Sequence, residues 1–588
     1  MKDTTETNTQ WALGCLRLHE SSDPEALVHL ALNAGCRTLD LADVYGDGTL
    51  GHAENIVASA LANWTGPQES VRVVTKGGLV RKAKGRWDTN GKAKHLMAAA
   101  QGSLERLGRV DLYLLHARDP RTSFGTSLRA LKKLLDEGVV GAVGLSNVRV
   151  CDIQEAREIL EVSAVQIAMG PFDREPVDGG VARYCAENGI ELMAHSPFGG
   201  FRSHQRIASN ETLKRVAVQT GGTPYEVVVS WLSSLGAMPI VGSTRPETLP
   251  GNVELGETRD ELDLLPGGAL RRPRLVGPPQ DTDGEVVLLM GVPGAGKSTA
   301  VQRYVARGYT RLNRDERGGR LDDLLPELAA GLARGERTWV LDNTYPTRAA
   351  RQRVVDVAWS HGVPTRCVWL TTSQWDAQWN AAERMLERHG ALLGPEELRA
   401  SRHPADFAPN TQAGWLRRLE EPVLAEGHAA IERLPFVRRE RRGEGRALAF
   451  DYRLLWGGKP VPGGEVVLVP GVSERLQAWE QTHSLVPMAF LGEKDWPGDD
   501  WSKLLARTHE LLGITLEPRI CRHPSGPPVC WCRKPMPGLL VQAMRELGLG
   551  ASQVTIVRTS RSDSQLAKRL GCGLLSEEQF FEDPSIES

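Results

Sequence analysis

Residues 285–300 read EVVLLMGVPGAGKSTA, an apolar run, a glycine-rich turn and the start of a helical pattern. This stretch constrains the fold more than any other, because a strand that passes through such a turn into a helix belongs to an α/β domain. The turn fits the Walker A spacing, with Gly291, Gly294, Gly296, Lys297, Ser298 and Thr299 in place. Backbone N–H groups of such a loop cradle phosphates, Lys297 reaches the β and γ oxygens, and Ser298 can ligate Mg²⁺. Taken alone, the loop says only that a nucleotide binds.

The chain has 588 residues, too many for one core, and a prior of about 150 residues per domain suggests about three or four domains. Short apolar runs such as VRVVTK, VDLYLLH and AVGLSN alternate with helical stretches from Trp11 to about Leu262. This is the rhythm of repeated β-α units. Residues 264–283 are rich in Pro and Gly and read as a linker. The expected domains are 1–263, 284–440 and 441–588, the last entered through the arginine-rich VRRERRGEGR. A net charge of −2 predicts no global attraction to polyanions, so such a site must be a local patch. Arg81, Lys82, Lys84 and Arg86, and separately Arg438, Arg439, Arg441 and Arg442, are candidate patches or plain solvated segments. The polar start and the lack of a long apolar run predict a cytoplasmic protein with no membrane partner.

In the first region "TLDLADVYG" supplies Asp40 and Tyr45, "VVTKGG" supplies Lys76, and "DLYLLHARDP" supplies His116. With these motifs the region resembles the aldo-keto reductases over essentially its whole length. The resemblance implies a TIM (β/α)8 barrel, a carbonyl substrate and a catalytic tetrad of these four residues. Hydride arriving at a carbonyl carbon creates an alkoxide that needs a proton, and a free Tyr, with a pKa of about 10, is a reluctant donor. Lys76, held by Asp40, would favour the Tyr45 anion, and His116 would orient the carbonyl oxygen. Ser146, Asn147 and Gln166 match groups that bind the nicotinamide amide. His195 stands where an aromatic ring usually stacks, and Ser243, Thr244 and Arg245 favour NADP(H), since a guanidinium suits a 2′-phosphate.

After the glycine-rich loop come "YTRLNRDERG", "VLDNTYPTRAARQ", "WNAAERMLERHG" and "FAPNTQAGW". This ordered set resembles the kinase domain of the polynucleotide kinase-phosphatase family. The resemblance implies ATP and 5′-hydroxyl ends of RNA or DNA as substrates. Asp315 would be the general base, with an ordinary helix N-cap as its alternative. Asp342 would help place Mg²⁺ or the acceptor. Arg384 and Arg388 would come from a lid and neutralise the transferring phosphoryl group, or else belong to an exposed helix face.

"AFDYRLLW" begins the third region. It resembles histidinol-phosphate-type and polynucleotide-3′-phosphatase-type members of the haloacid dehalogenase (HAD) superfamily, which implies a Rossmannoid α/β fold. Asp451 matches the nucleophile, Lys534 the lysine and Asp563 one acidic residue. Arg453 replaces the general acid two positions on, and Arg558 and Thr559 stand where Gly-Asp is expected, so the expectation is a pseudophosphatase. "CRHPSGPPVCWC" supplies Cys521, His523, Cys530 and Cys532, a Cys₃His set that matches the zinc loop of these relatives.

The combined expectation is an α/β multidomain enzyme for nucleic-acid end healing, with a repair ligase or another repair protein as a candidate partner. A small-metabolite kinase coupled to carbonyl reduction, and a C-terminal module that binds nucleic acid or protein, are the alternatives.

Overall fold

The computed structural model describes residues 11–82, 86–173, 175–200, 204–249, 253–255, 258–262, 283–438, 440–494, 496–523 and 530–582. Lys84, Arg439 and nearly all of the expected linker lie outside the described residues. The chain divides into two compact units, Met1–Leu275 and Val276–Ser588.

In the first unit eight parallel strands, from Ala12–Gly14 to Ala237–Gly242, close into a barrel. Closure comes from pairing of the first strand with the last, through Ala12 with Ile240 and Leu13 with Val241. Strands covered on both faces must be apolar on both, which explains the continuous run Leu112–Leu115 and the run Ala164–Ala168, broken only by the buried Gln166. Val74, Leu112, Leu114, Met193 and Ile240 fill the barrel interior. At Gly144 a Cβ would lie 2.3 Å from the Ala164 carbonyl oxygen and 2.6 Å from Leu114, so only glycine lets this strand approach. The basic segment after Lys76 forms a hairpin, Leu79–Arg81 with Trp87–Thr89, rather than an open loop. Arg81 donates to the Val44 and Gly46 carbonyls and lies over Trp87, and Lys82 pairs with Asp88. Those two cations are therefore already engaged.

The second unit contains two parallel five-stranded sheets. One has the order Thr310–Leu312, Thr338–Asp342, Glu285–Met290, Thr365–Leu370, Ala430–Leu434. The other has the order Arg519–Ile520, Ser484–Ala489, Ala447–Asp451, Val554–Arg558, Gly573–Ser576. In each, a long apolar strand near the middle carries a functional motif at its C-terminal end, where open α/β sheets place their crevices. Of the arginines expected at the junction, Arg438 binds Asp376 at 2.6 Å and lies over Trp379, and Arg441 forks onto Glu383 at 2.7 and 2.9 Å. They are internal struts and not a free phosphate-binding edge. Among the described residues no helix is long and apolar enough to cross a membrane.

A fully buried ion pair, Arg351 with Glu426, joins the helix Arg348–Ser360 to the turn before the edge strand through two 2.7 Å bonds. Burial works against the Glu426 carboxylate, but Arg351 and His428 outweigh it and hold its pKa below the ordinary value. The contribution of the pair is therefore complete above the unfolded carboxylate range near pH ~4.3 and is lost as pH falls through the lower folded value. Glu426→Ala, which strands a buried guanidinium, is expected to lower the unfolding free energy of this unit by about 3–5 kcal/mol at pH 7, measured by urea denaturation.

Candidate active sites

At the C-terminal mouth of the barrel, Lys76 is fully buried and donates to both oxygens of Asp40, at 2.7 and 2.8 Å, and to the Leu41 carbonyl at 2.7 Å. Its ammonium lies 3.4 Å from the Tyr45 hydroxyl. Burial opposes the Lys76 charge, yet Asp40 and Tyr45 hold its pKa above the ordinary value. Burial also pushes the Tyr45 phenol up, and Lys76 offsets only part of that effect. His116 meets Tyr45 edge-on at 5.7 Å. Burial, followed by Lys76 and His195, holds His116 well below its ordinary pKa, so its ring is neutral. Its Nδ1 is buried without a hydrogen-bond partner among the described residues, which leaves Nε2 to meet a ligand.

Around this group Asn147 sits in the left-handed region at φ 56° and donates to the His116 carbonyl and to Ser146 Oγ. His195 shares a 3.1 Å hydrogen bond with Asn147 Oδ1, and burial and Lys76 push its pKa down to about 4. Gln166 donates to Asp40 Oδ1 at 2.7 Å, so here it braces the carboxylate. Ser243 accepts from the Arg245 backbone N–H, Thr244 is half-buried, and the exposed Arg245 side chain lies 3.7 Å from Glu247. Asp43 carries no sequence signal of its own. It is buried beside Glu54, and burial and that like charge push it up to about 7.

In the second unit the glycine-rich loop is tied down from outside. Gln412 donates to the Pro293 carbonyl at 2.7 Å, Asn380 to Gly294 at 2.9 Å, and Thr372 to Ala295 at 2.8 Å. Three successive carbonyls are thereby occupied, and the Ala295 N–H is itself donated to the Val292 carbonyl at 2.9 Å, so the loop holds its shape through its own bonds and those from outside. Gly294 and Gly296 have φ of 90° and 94°, and a Cβ on Gly294 would stand 2.4 Å from the Ala377 carbonyl oxygen. Lys297 donates to the carbonyls of Gly291 and Val292, and Ser298 and Thr299 are exposed at the start of the following helix. Desolvation pushes Lys297 down to about 8; Asp342 opposes this, Arg384 adds to it, and Asp315 opposes it. Lys297, Asp342, Arg384 and Asp315 thus share one electrostatic field.

Asn313, and not Asp315, caps the helix Arg314–Arg317 by accepting from the N–H groups of residues 315 and 316. The carboxylate of Asp315 is left at the rim, 43% exposed and paired with Arg314. Asp342 is buried and accepts from Arg311 at 2.6 Å. Among the described residues Arg384 has no carboxylate partner, whereas Arg388 is bound by buried Asp406 at 2.8 Å. Arg384 donates to the Asn380 carbonyl within its own helix at 3.4 Å. Sequence reasoning missed Asn380, Gln412 and Thr372, because no local pattern announces a side chain that reaches a loop 77 to 119 positions away.

A third group lies at the end of the strand Ala447–Asp451. Buried Asp451 is bound by Arg453 at 2.7 Å and Lys534 at 2.8 Å, and Lys534 also pairs with Asp563. Burial opposes the Asp451 carboxylate, but Arg453 and Lys534 hold its pKa below the ordinary value. Asp563 accepts as well from Thr559 and Ser560, so it is saturated by internal donors. Nearby, one donor atom from each of Cys521, His523, Cys530 and Cys532 lies within 4.8 Å of the others. Cys521 Sγ is 3.6 Å from His523 Nδ1 and 3.3 Å from Cys532 Sγ. Tetrahedral zinc with Zn–S of about 2.3 Å needs sulfurs about 3.8 Å apart, which this cluster fits after small shifts.

Residues 10–263 match the family model described as the aldo/keto reductase family, and residues 286–402 match one described as an AAA domain. Similar solved structures include an aldo-keto reductase from a Medee basin deep-sea metagenome library, at 24% identity over 44% of this chain and 91% of that one, with a TM-score of 0.36. Another is the glycerol dehydrogenase AKR11B4 from Gluconobacter oxydans, at 21% identity over 43% and 89%, TM-score 0.38. A third is the Bombyx mori aldo-keto reductase AKR2E4 in complex with NADP, at 23% identity over 43% and 87%, TM-score 0.36. The N-terminal region is an aldo-keto reductase domain, and the middle region is a P-loop, kinase-like domain.

Asn380→Ala removes one of the three bonds that shape the nucleotide loop. It is expected to weaken binding of a non-hydrolysable ATP analogue about 5- to 10-fold, roughly the worth of one hydrogen bond, as read by isothermal titration calorimetry.

Proposed function

We propose that the chain is a nucleic-acid end-healing enzyme, in which a Mg-ATP-dependent polynucleotide 5′-hydroxyl kinase is joined to an NADP(H)-dependent carbonyl reductase and a HAD-like domain that has lost phosphatase chemistry. The observation that carries the kinase reading is the glycine-rich loop, shaped by Gln412, Asn380 and Thr372, with Lys297 folded onto its Gly291 and Val292 carbonyls. The general base stands at an open rim, which suits an acceptor too large to be enclosed. An incoming phosphate of the acceptor can take the Arg314 guanidinium and release the Asp315 carboxylate. Asp315 then accepts the hydroxyl proton as the 5′-oxygen bonds to the γ-phosphorus and the bond to the β-bridging oxygen breaks. Lys297 and Arg384 neutralise charge on the transferring group, and the product is a 5′-phosphorylated end with ADP. Ser298 would hold Mg²⁺, with Asp342 beside it.

In the barrel, Ser146, Asn147 and Gln166 would hold the nicotinamide amide, and Arg245 would receive a 2′-phosphate. NADPH supplies the hydride when bound. Tyr45 gives the proton to the carbonyl oxygen, and buried Lys76 stabilises the phenolate left behind. Neutral His116 donates to the same oxygen through Nε2. The substrate class proposed is an aldehyde or ketone, including those left by sugar damage at a broken strand.

The strand order of the last sheet, with Asp451 ending its middle strand, supports a HAD-like reading. Arg453 and Lys534 both bind Asp451 Oδ2, and the Arg453 side chain stands in place of a general acid, which supports the loss of hydrolysis. Cys521, His523, Cys530 and Cys532 would hold zinc as a closed structural site.

Two variants separate the activities in one chain. Asp315→Ala is expected to lower transfer of γ-phosphate to 5′-hydroxyl oligonucleotides at least ~100-fold while NADPH oxidation with a small test aldehyde is unchanged, and Tyr45→Phe is expected to do the reverse. Wild-type transfer rates in both variants would overturn these assignments.

A further inference from the structure

The helix Gln374–His389 faces two ways. From one side Asn380 holds the Gly294 carbonyl at 2.9 Å, and the Ala377 carbonyl oxygen lies against Gly294. From the other, Trp379, Ala382 and Leu386 lie in the same buried cluster as Cys521, Cys530 and Cys532. On the adjacent stripe Ala381 and Met385 pack with Trp531. Trp531 is the residue between two of the clustered cysteines, fully buried, with its indole N–H donated to the Phe407 carbonyl at 2.8 Å. Ligands two positions apart turn their sulfurs to one side, so the side chain between them is directed to the other. The same helix is fastened by charge, with Arg545 of the C-terminal domain reaching both Glu383 and Glu387.

We infer that the Cys₃His cluster is a positioning device for the kinase: a bound zinc ion fixes Trp531 as a wedge that holds the helix presenting Asn380 to the nucleotide loop. The inference rests on the proposed zinc and phosphotransferase readings. It assigns the C-terminal domain a role that needs no phosphatase chemistry. Without the ion, three thiol groups and an imidazole converge on nothing, Cys530–Cys532 loosens, and the wedge no longer fixes the helix. Asn380 then samples positions from which it does not reach the loop.

The test uses the full chain, with zinc content measured per chain and then removed by 1,10-phenanthroline, which leaves Mg²⁺ available. Hydrogen exchange of peptides spanning 374–389 is expected to rise at least ~10-fold on removal, and transfer of γ-phosphate to fall by a similar factor, both restored by added zinc. NADPH oxidation by the same sample is the internal control and is expected to be unchanged. Trp531→Phe keeps the four ligands but loses the indole bond and part of the buried wedge, so it is expected to retain one zinc per chain, raise exchange at 374–389 and lower transfer about 3- to 5-fold. Unchanged exchange at 374–389 after zinc removal overturns the inference, as does a chain that binds no zinc yet protects this helix. If no acceptor is phosphorylated at all, the kinase reading fails, while the exchange measurement still decides whether the cluster holds the helix.

Discussion

Burial of the helix Gln374–His389 on two sides is the constraint on which the second unit depends. Its apolar stripe at Trp379, Ala382 and Leu386 completes the core beneath the Ala447–Asp451 sheet. Its polar position at Asn380 serves the glycine-rich loop. A helix committed to two cores cannot shift for one without cost to the other, since close-packed interiors transmit displacement and do not absorb it. This accounts for the grouping of the last two sheets in one compact unit despite their separate topologies.

Among the described residues, buried lysines paired with aspartates occur twice, in different surroundings. In the barrel, Lys76 is neutralised by Asp40, and its ammonium lies 3.4 Å from the Tyr45 hydroxyl, which has no carboxylate or arginine upon it. In the C-terminal domain Lys534 is shared by Asp451 and Asp563, and Arg453 adds a second cation to Asp451. Every charge there is spent internally. What differs is not burial but whether a neighbouring group is left unsatisfied, because a buried charge must be paired and only the surplus can do chemistry.

Local patterns in the sequence report what they physically determine. The apolar runs announce the barrel strands because a parallel sheet is buried on both faces, and the glycine spacing announces the phosphate loop because its backbone needs those residues. Asp40, Tyr45, Lys76 and His116 are legible because each sits in its own strand-end motif, and the four cysteine and histidine donors because their spacing is short. The hairpin at Leu79–Arg81 is not legible, since three-residue strands flanked by Lys, Gly and Arg carry no alternation. Nor is the engagement of Arg438 and Arg441, whose partners Asp376 and Glu383 lie 62 and 58 positions away. Trp531 reads as an ordinary aromatic residue in a metal loop, and only tertiary packing shows it inserted against the kinase helix. The engagement of Arg388 likewise depends on Asp406, a carboxylate outside its own helix.

The central claim is that the open rim at Asp315 receives a nucleic-acid end. The most direct measurement is a competition, in which 5′-hydroxyl RNA, 5′-hydroxyl DNA and a mixture of small polyols share one reaction with γ-labelled Mg-ATP. The account predicts label on the 5′ ends of oligonucleotides with little on the polyols. Label on the polyols, with the oligonucleotides untouched, would contradict it.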